Sequence, residues 1–450
     1  MLGTEAILRS PFKSLYRLAI PLILNELVLA FYNIIGVFYM TRLGEDYVAA
    51  LNYALPSFLF FIAVSIGLGV GTTYYVAENL GAGRVGRAKW IAGSAIWVSL
   101  GLSALVCVIG FVGTPYLLAV TGASGHVLEI SMGYQRVIFL GVFSFIFNYI
   151  CLSILEGTGN TALPVKIQLL TTILNAILDP FFIFYLHLHA IGAAIGTVLA
   201  SVIGSAIFIY ILFFKRDSEF RLPLAWPNYQ VNLLKKLFHI GMPAFLELLI
   251  VSATMATLNR LVAFYGVAAM AAISIGLKIE ALCLLCMIGL ANAAVPLMGT
   301  LKGAGEVKKF RAVSYFVILN ACGISLILGV ALFLLSPFIM TFFTSDPVIK
   351  SIVLGFFVVI ILEHPLFAFA FAIGKVMQGL GTSIPALGFT AFRMIVGMLV
   401  SYTWALYFNG GLLGVWWSFV IVAVWVAIGA WIVLAQALKK YEAGLVVVER

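Results

Sequence analysis

The sequence predicts an all-α polytopic membrane protein, with twelve transmembrane helices in two parallel six-helix lobes. Three observations predict this fold class. Of the 450 residues, 63% are hydrophobic and 10% are charged, whereas soluble domains hold about 45–50% and about 25% of these classes. Twelve apolar stretches reach the roughly 20 residues that a spanning helix needs. A constant offset in numbering relates the first half of the chain to the second.

The predicted helices alternate with short polar loops. They cover residues 15–41, 51–79, 88–118, 127–155, 163–186, 190–214, 237–264, 271–300, 310–342, 348–376, 384–408 and 412–438. The longest polar segment between them is 215–236, which we interpret as a cytoplasmic linker. It divides a predicted N-terminal lobe at 1–214 from a predicted C-terminal lobe at 237–450.

Lysine and arginine are distributed unevenly between the two sides of the predicted helices. With both termini in the cytoplasm, the outer loops hold only Arg42 and Lys350 of the 26 Lys and Arg residues. Positive residues concentrate in cytoplasmic loops, so the sequence predicts a multi-pass protein of the cell membrane with both termini cytoplasmic. The net charge of +9 is spread over short loops rather than gathered on one face, which argues against nucleic acid as a partner.

The two halves of the chain repeat with an offset of 222 residues. This offset takes Pro21, at the opening of the first predicted helix, to Pro243, at the opening of the seventh, and it takes Gly44 to Gly266. Each half holds an even number of spans, so both halves enter the membrane from the same side and the repeats are parallel. Two such bundles leave a cleft between them, and rocking of one against the other is typical of transporters. Pro21, Pro180 and Pro243 are the predicted kink or gating positions.

Several motifs occur in a specific order along nearly the whole chain. They are L-A-I-P-L-I-L-N-E-L at 18–27, G-L-G-V-G-T-T-Y-Y-V-A-E-N-L-G-A-G at 67–83, L-E-G-T-G-N-T at 155–161, L-N-A-I-L-D-P at 174–180, I-G-A-A-I-G-T-V at 191–198, I-G-M-P-A-F-L-E at 240–247, T-S-D-P at 344–347, M-Q-G-L-G-T at 377–382 and L-L-G-V-W-W-S at 412–418. Together they resemble the multidrug and toxic compound extrusion (MATE) family, and they look closest to its DinF-like prokaryotic branch.

This resemblance implies a V-shaped pair of six-helix lobes around a central cavity. It implies a monomeric secondary antiporter, surrounded by membrane lipids, that exports small amphipathic or cationic organic compounds in exchange for H⁺ or Na⁺, with no cofactor. The alternative within the same exporter superfamily is a lipid or lipid-linked oligosaccharide flippase, which Lys278, Lys375 and Arg393 keep open. An enzyme is not expected, because no catalytic constellation has plausible spacing.

Ionisable side chains inside membrane helices are costly and therefore mark candidate functional sites. Asp179 lies in the fifth predicted helix before Pro180, which leaves the carbonyl of Ala176 without its usual amide partner. Asn175 is one turn earlier on the same face. A carboxylate, an amide oxygen and a free carbonyl suit a sodium ion, and a buried carboxyl can also hold a proton. The resemblance assigns cation binding to Asn175, Asp179 and Thr197; the alternative is that Asp179 only caps the kink.

One position departs from the family pattern. Many relatives carry an aspartate on helix 1 in a Y-N-x-x-D pattern, where this chain has Gly36. Glu26 is ten residues earlier, about 15 Å along a helix, so it is not a simple replacement. Either Asp179 acts alone, or ion coupling has moved elsewhere.

Five charged residues of the second half are candidate coupling or substrate-binding residues: Glu247, Glu280, Glu363, Lys278 and Arg260. The alternative is that these residues, with Lys375 and Arg393, form neutralising pairs that lock the bundle. Residues two apart do not face each other on a helix, so Lys278 and Glu280 need separate partners. His364, beside Glu363, is a candidate proton relay.

Overall fold

The computed structural model describes residues 3–215, 220–223, 231–341, 343–344, 346–408 and 411–444, and its regular elements in these ranges are all helices. They are α1 (Gly3–Arg9), α2 (Pro11–Thr41), α3 (Glu45–Gly81), α4 (Val85–Thr121), α5 (Gly125–Gly157), α6 (Ala162–Pro180), α7 (His189–Ile209), α8 (Val231–Ala263), α9 (Val267–Asn292), α10 (Ala294–Gly303), α11 (Val307–Met340), α12 (Pro347–Gly379), α13 (Ile384–Tyr407) and α14 (Gly411–Glu442). The π-helical turns Phe181–Tyr185 and Tyr210–Phe214 extend α6 and α7.

Twelve helical stretches of the described residues are long and apolar enough to cross a membrane, which confirms the predicted fold class and helix count. The short helix α1 was not predicted. The eighth predicted helix, at 271–300, is longer and is divided into α9 and α10. Pro296 lacks the amide that would bond to the carbonyl of Asn292, so the continuous α-helix ends there.

The internal repeat extends to the helix boundaries. The helices α4, α5, α6 and α7 begin 222 residues before α11, α12, α13 and α14, respectively. Their packing repeats as well, because α5 lies against α3, α4 and α7, and α12 lies against α9, α11 and α14. The two halves therefore use one scaffold of helix lengths and neighbours.

Close packing at the helix ends follows the same repeat. A Cβ atom added to Gly157 would meet Val76 Cβ at 2.8 Å, and one added to Gly379 would meet Met298 Cβ at 2.5 Å. Glycine lets the two helix backbones approach at these positions. The turns before these helices repeat as well. Gly44 directly precedes α3 and Gly266 directly precedes α9, and both glycines have a positive φ.

The helices group into two compact units. Unit 1 comprises Met1–Ala6 and Leu24–Gly241, and unit 2 comprises Ile7–Ile23 and Met242–Arg450. Each has its own apolar core. The division falls within three residues of Pro21 in α2 and of Pro243 in α8. Half of the predicted linker at 215–236 lies outside the described residues, and the predicted lobe boundaries remain predictions.

Candidate functional site

Asp179 lies in the last turn of α6, where only 3% of its surface is exposed. Pro180 follows it, and the chain then widens into the π-helical turn Phe181–Tyr185, in which the amide of Leu186 bonds to the carbonyl of Phe181 at 3.0 Å. π-Helical turns inside helices often occur at functional sites. The local sequence therefore places a buried carboxyl at a point where the helix geometry changes.

A hydrogen-bond network surrounds the Asp179 carboxyl. Asn175 Nδ2 donates to Asp179 Oδ1 at 2.8 Å and to Thr197 Oγ1 at 3.2 Å. The Tyr32 hydroxyl, from α2, donates to the same Thr197 oxygen at 3.1 Å. The structure thus brings together the three residues that the family resemblance indicated, and it adds Tyr32. The Asn175 amide offers its nitrogen to Asp179 and Thr197, whereas the sequence led us to expect its oxygen at the site.

Pro180 lacks the amide that would bond to the carbonyl of Ala176, and the sequence led us to expect that this carbonyl is free to bind a sodium ion. The Tyr39 hydroxyl donates to the carbonyl oxygen of Ala176 at 3.1 Å. Tyr32 and Tyr39 are seven residues apart, which is two turns, so both lie on one face of α2. Sequence reasoning missed both tyrosines: their spacing places them on a shared face of α2, but it does not indicate that this face contacts α6.

Two glycines of α7 allow it to approach the Asp179 turn. A Cβ atom on Gly196 would lie 3.2 Å from the Asp179 backbone nitrogen and would collide with its Oδ1. A Cβ atom on Gly192 would lie 2.6 Å from the carbonyl oxygen of Phe182. These positions, four residues apart, form a small-residue contact of the kind that joins membrane helices. The motif I-G-A-A-I-G-T therefore sets the position of Thr197 next to Asn175.

Gly36 lies on the same face of α2, four residues after Tyr32 and three before Tyr39. A Cβ atom added to Gly36 would meet no atom within 4 Å. The glycine at the position where the family pattern led us to expect an aspartate is therefore not required by packing. Among the described residues, the hydrogen-bond network around Asp179 contains one carboxyl group, that of Asp179 itself.

In unit 2, four charged or titratable side chains form two pairs. Both Nε and Nη2 of Arg393 donate to Glu363 Oε1, the former at 3.0 Å. His364 Nε2 lies 2.7 Å from Glu280 Oε1. The exposed fraction of the side chain is 2% for His364, 7% for Glu363, 13% for Glu280 and 14% for Arg393. Sequence reasoning named these residues but could not assign their partners.

The remaining candidates of unit 2 are placed differently. Glu247 is half-buried and accepts a hydrogen bond from the Thr390 hydroxyl at 2.8 Å. Lys278 and Arg260 are exposed on α9 and α8, and Arg260 borders an open groove with Phe264. Neither Lys278 nor Arg260 joins the buried pairs.

Two cavities of unit 2 adjoin these residues. One has Glu247, Thr390, Lys375 and Arg393 in its wall. The other is partly open and has Glu280, Glu363 and Arg393 in a wall that is otherwise mostly aromatic and aliphatic. Among the described residues, no group of three or more His, Cys, Asp or Glu side chains is placed to hold a metal ion.

The predicted kink positions differ in their local structure. Pro180 ends the α-helical part of α6. Pro21 and Pro243 lie inside α2 and α8, which continue as α-helix past them. A gating role for these prolines remains a prediction.

Comparison with known proteins identifies a matching family model, MatE, which matches the chain twice, at residues 21–181 and 243–403. The two matches are offset by the same 222 residues as the internal repeat. The chain is 26% identical over 433 residues to the multidrug export protein MepA of Staphylococcus aureus strain MRSA252, and this match covers 95% of this chain and 94% of MepA.

Solved structures match over nearly the full length. An outward-facing multidrug resistance MATE family transporter of the MOP superfamily is 28% identical with a TM-score of 0.93, covering 98% of this chain and 99% of that one. A MATE in the bent conformation is 27% identical with a TM-score of 0.94 and the same coverage. A MOP superfamily transporter from Pyrococcus furiosus Vc1, described as having a binding pocket of reverse polarity that suggests a different function, is 27% identical with a TM-score of 0.91 over the same shares.

Proposed function

Since the chain belongs to the MATE family of multidrug efflux transporters, we propose that it exports small amphipathic or cationic organic compounds by alternating access, in exchange for H⁺ or Na⁺ that binds at Asp179. Its relatives and structural neighbours are transporters, not enzymes. The observation that carries the proposal is the burial of the Asp179 carboxyl inside the apolar core of unit 1, within a network of amide and hydroxyl groups. An ionisable side chain buried inside membrane helices is costly, and such residues mark ion and proton sites.

The contacts of Asp179 favour a proton over a sodium ion. A sodium ion takes oxygen ligands, but the Asn175 amide presents its nitrogen to the carboxylate, and the Ala176 carbonyl is engaged by the Tyr39 hydroxyl. Sodium binding would require the amide to turn and the tyrosine to leave. A proton needs only one carboxylate oxygen, so it can bind without displacing either group.

The effect of cation binding at Asp179 should reach α2 and α7 through the same hydrogen bonds. A charged acceptor forms a stronger hydrogen bond than a neutral one, so neutralising Asp179 weakens its bond with Asn175. Asn175 also bonds to Thr197, and Thr197 accepts from Tyr32 of α2. The charge on the Asp179 carboxyl therefore influences how strongly α2, α6 and α7 are bonded to one another. Alternating access requires helix contacts that can change in this way.

The flippase alternative is not favoured. It would be supported by a cationic site shared by Lys278, Lys375 and Arg393. Lys375 and Arg393 do line one cavity, but Glu247 lies in the same wall, Arg393 is paired with Glu363, and Lys278 is exposed on α9. Lys375 adjoins the Phe371 ring, with its Nζ 5.0 Å from the ring centroid.

We propose a cell-membrane location with both termini cytoplasmic, and a monomer in contact with membrane lipids.

The test is efflux from liposomes that contain the purified full-length protein, under a sodium gradient and a pH gradient imposed separately. Asp179→Asn removes the charge and keeps the side-chain shape, and it should abolish gradient-driven efflux. Asp46→Asn makes the same change at an exposed residue of α3 and should transport as the parent does. An efflux rate that does not depend on either gradient, or gradient-driven efflux that persists in Asp179→Asn, would overturn the proposal.

A further inference from the structure

Arg136 carries a positive charge inside the membrane-spanning helix α5, in unit 1. Its Nε is covered by neighbouring atoms and has no hydrogen-bond partner. Among the described residues, its guanidinium contacts the Phe111 ring of α4, whose centroid is 5.5 Å from Arg136 Cζ, and it forms no ion pair and no hydrogen bond. Arginine does not lose its proton in proteins, and charged residues inside membrane helices ordinarily pair with an opposite charge. The charge of Arg136 is therefore not compensated within the described part of the chain.

The acidic residues of unit 1 that come nearest in sequence or packing have other partners. Glu129 precedes Arg136 by two turns of α5, about 10 Å along the helix. Its side chain is exposed and lies 3.8 Å from His126. Asp179 belongs to the network with Asn175. An anion that neutralises Arg136 has to come from outside the described residues.

The depth of Arg136 in the membrane follows from the length of α5. The helix has 33 residues and is therefore about 50 Å long, whereas the hydrocarbon layer is about 30 Å thick. When the excess is divided equally between both ends, the Arg136 Cα lies about 7 Å inside the hydrocarbon, on the side of the α4–α5 turn at residues 122–124. Long charged side chains at such depths reach the membrane interface. The lipid phosphates of the leaflet on that side are therefore within reach of the guanidinium.

Exposed apolar side chains lead from Arg136 deeper into the membrane on both helices. Leu140 and Phe143 follow it on α5 by four and seven residues, so they share its face. Leu105 and Val108 continue from Phe111 on α4, and all four side chains are exposed. A phosphate held by the guanidinium would thus have surface for acyl chains beside it. This arrangement favours a phospholipid over a free phosphate ion, which would use the guanidinium alone.

The internal repeat shows that the scaffold does not need an arginine here. The offset of 222 takes Arg136 to Val358 of α12 and Phe111 to Phe333 of α11. Val358 is exposed, so the second half keeps an aromatic side chain and places an apolar one at the position of the arginine. Packing of the helices therefore gives no reason for the charge in α5, whereas binding of an anion does.

We propose that Arg136, with the adjoining faces of α4 and α5, binds the phosphate of an anionic phospholipid in the leaflet on the side of the α4–α5 turn. A guanidinium can donate two parallel hydrogen bonds to a phosphate group. A headgroup with net negative charge neutralises the arginine, whereas a zwitterionic headgroup brings a cation of its own. The inference goes beyond the proposed function and does not depend on it.

The test is native mass spectrometry of the purified full-length protein in detergent, with added phosphatidylglycerol or phosphatidylcholine. Arg136→Val installs the residue that the second half carries at this position. It should lower the affinity for the first bound phosphatidylglycerol about fivefold, the contribution of one basic residue near an anionic lipid surface. The affinity for phosphatidylcholine should stay unchanged, and Arg136→Lys should retain part of the preference for phosphatidylglycerol.

The matched control is Arg42→Val. Arg42 also lies over a phenylalanine ring, that of Phe38 at 4.8 Å, but it is in the turn after α2 and is followed closely by Glu45 and Asp46. This variant should bind phosphatidylglycerol as the parent does. Equal affinity for phosphatidylglycerol in the parent and in Arg136→Val, or an equal loss for both lipids, would overturn the proposal.

A second measurement uses the parent protein alone and covers the case in which Arg136→Val does not fold. Photoreactive phosphatidylglycerol should label the peptides of α4 and α5 around Phe111 and Arg136, and unlabelled phosphatidylglycerol should compete. Labelling spread evenly over all lipid-facing helices would refute the site, and competition by inorganic phosphate as strong as that by the lipid would refute the choice of ligand. None of these measurements uses transport, so gradient-independent efflux would overturn the proposed function and leave the lipid site standing.

Discussion

Replacing Gly196 with alanine should disable the Asp179 network without removing any of its polar atoms. The added methyl group would lie 3.2 Å from the Asp179 backbone nitrogen and would overlap its Oδ1. That oxygen accepts from Asn175 at 2.8 Å, so the side chain cannot move aside without losing this bond.

The size of the effect follows from three contributions. Overpacking a tight contact costs about 1–3 kcal/mol, and loss of a hydrogen bond to a charged group costs about 1.5–3 kcal/mol. Alanine is favoured over glycine in a helix by about 1 kcal/mol, which offsets part of this. We expect a net destabilisation of about 1.5–5 kcal/mol and a loss of gradient-driven efflux close to that of Asp179→Asn.

The assays are thermal unfolding in detergent and efflux from liposomes. The control is Gly101→Ala in α4, because a Cβ atom there meets nothing within 4 Å. It should be as stable as the parent or more so, and fully active. If Gly196→Ala unfolds and transports like the parent, α7 does not hold Asp179 in place and the reasoning is wrong.

Three further changes test other parts of the structure. His187 is exposed and has a φ of 52°, so His187→Gly should raise the thermal unfolding temperature by relieving backbone strain of about 1 kcal/mol; a lowered temperature would contradict this. Tyr39→Phe removes the hydroxyl that bonds to the carbonyl freed by the proline, and should lower unfolding free energy by about 1 kcal/mol; unchanged denaturant unfolding would refute it. Arg393→Ala should destabilise by about 3 kcal/mol or more, because Glu363 stays buried without its partner, and adding Glu363→Gln should restore part of the loss; no recovery in calorimetry would argue against the pair.

The sequence predicted those helices that are long and apolar or that recur in both halves of the repeat. The offset that takes Pro21 to Pro243 also relates the first residues of four helix pairs. The sequence did not predict α1, because seven residues are too few for a hydropathy signal. It also missed the break before α10, since one proline in an apolar run either bends or interrupts a helix, and neighbouring helices decide which.

The site was predictable only where it is local in sequence. Asn175 and Asp179 are one helical turn apart, so their contact follows from spacing alone, whereas Thr197 was placed by family resemblance. Tyr32 and Tyr39 reach the site from another helix, and no local pattern indicates which face of α2 is inward. Glu280 and His364 are 84 residues apart, and pairing at that distance depends on packing that periodicity does not describe.

The open space beside Gly36 has a consequence for how such a transporter can change. A Cβ atom at this position projects from the face of α2 that carries Tyr32 and Tyr39, and it meets no atom within 4 Å. A single substitution to aspartate could therefore add a second acidic group to this face without disturbing the helices around it. Under the proposed exchange mechanism, evolution could then alter the number of cations exchanged per exported molecule at one position, while the scaffold built on the duplicated halves stays as it is.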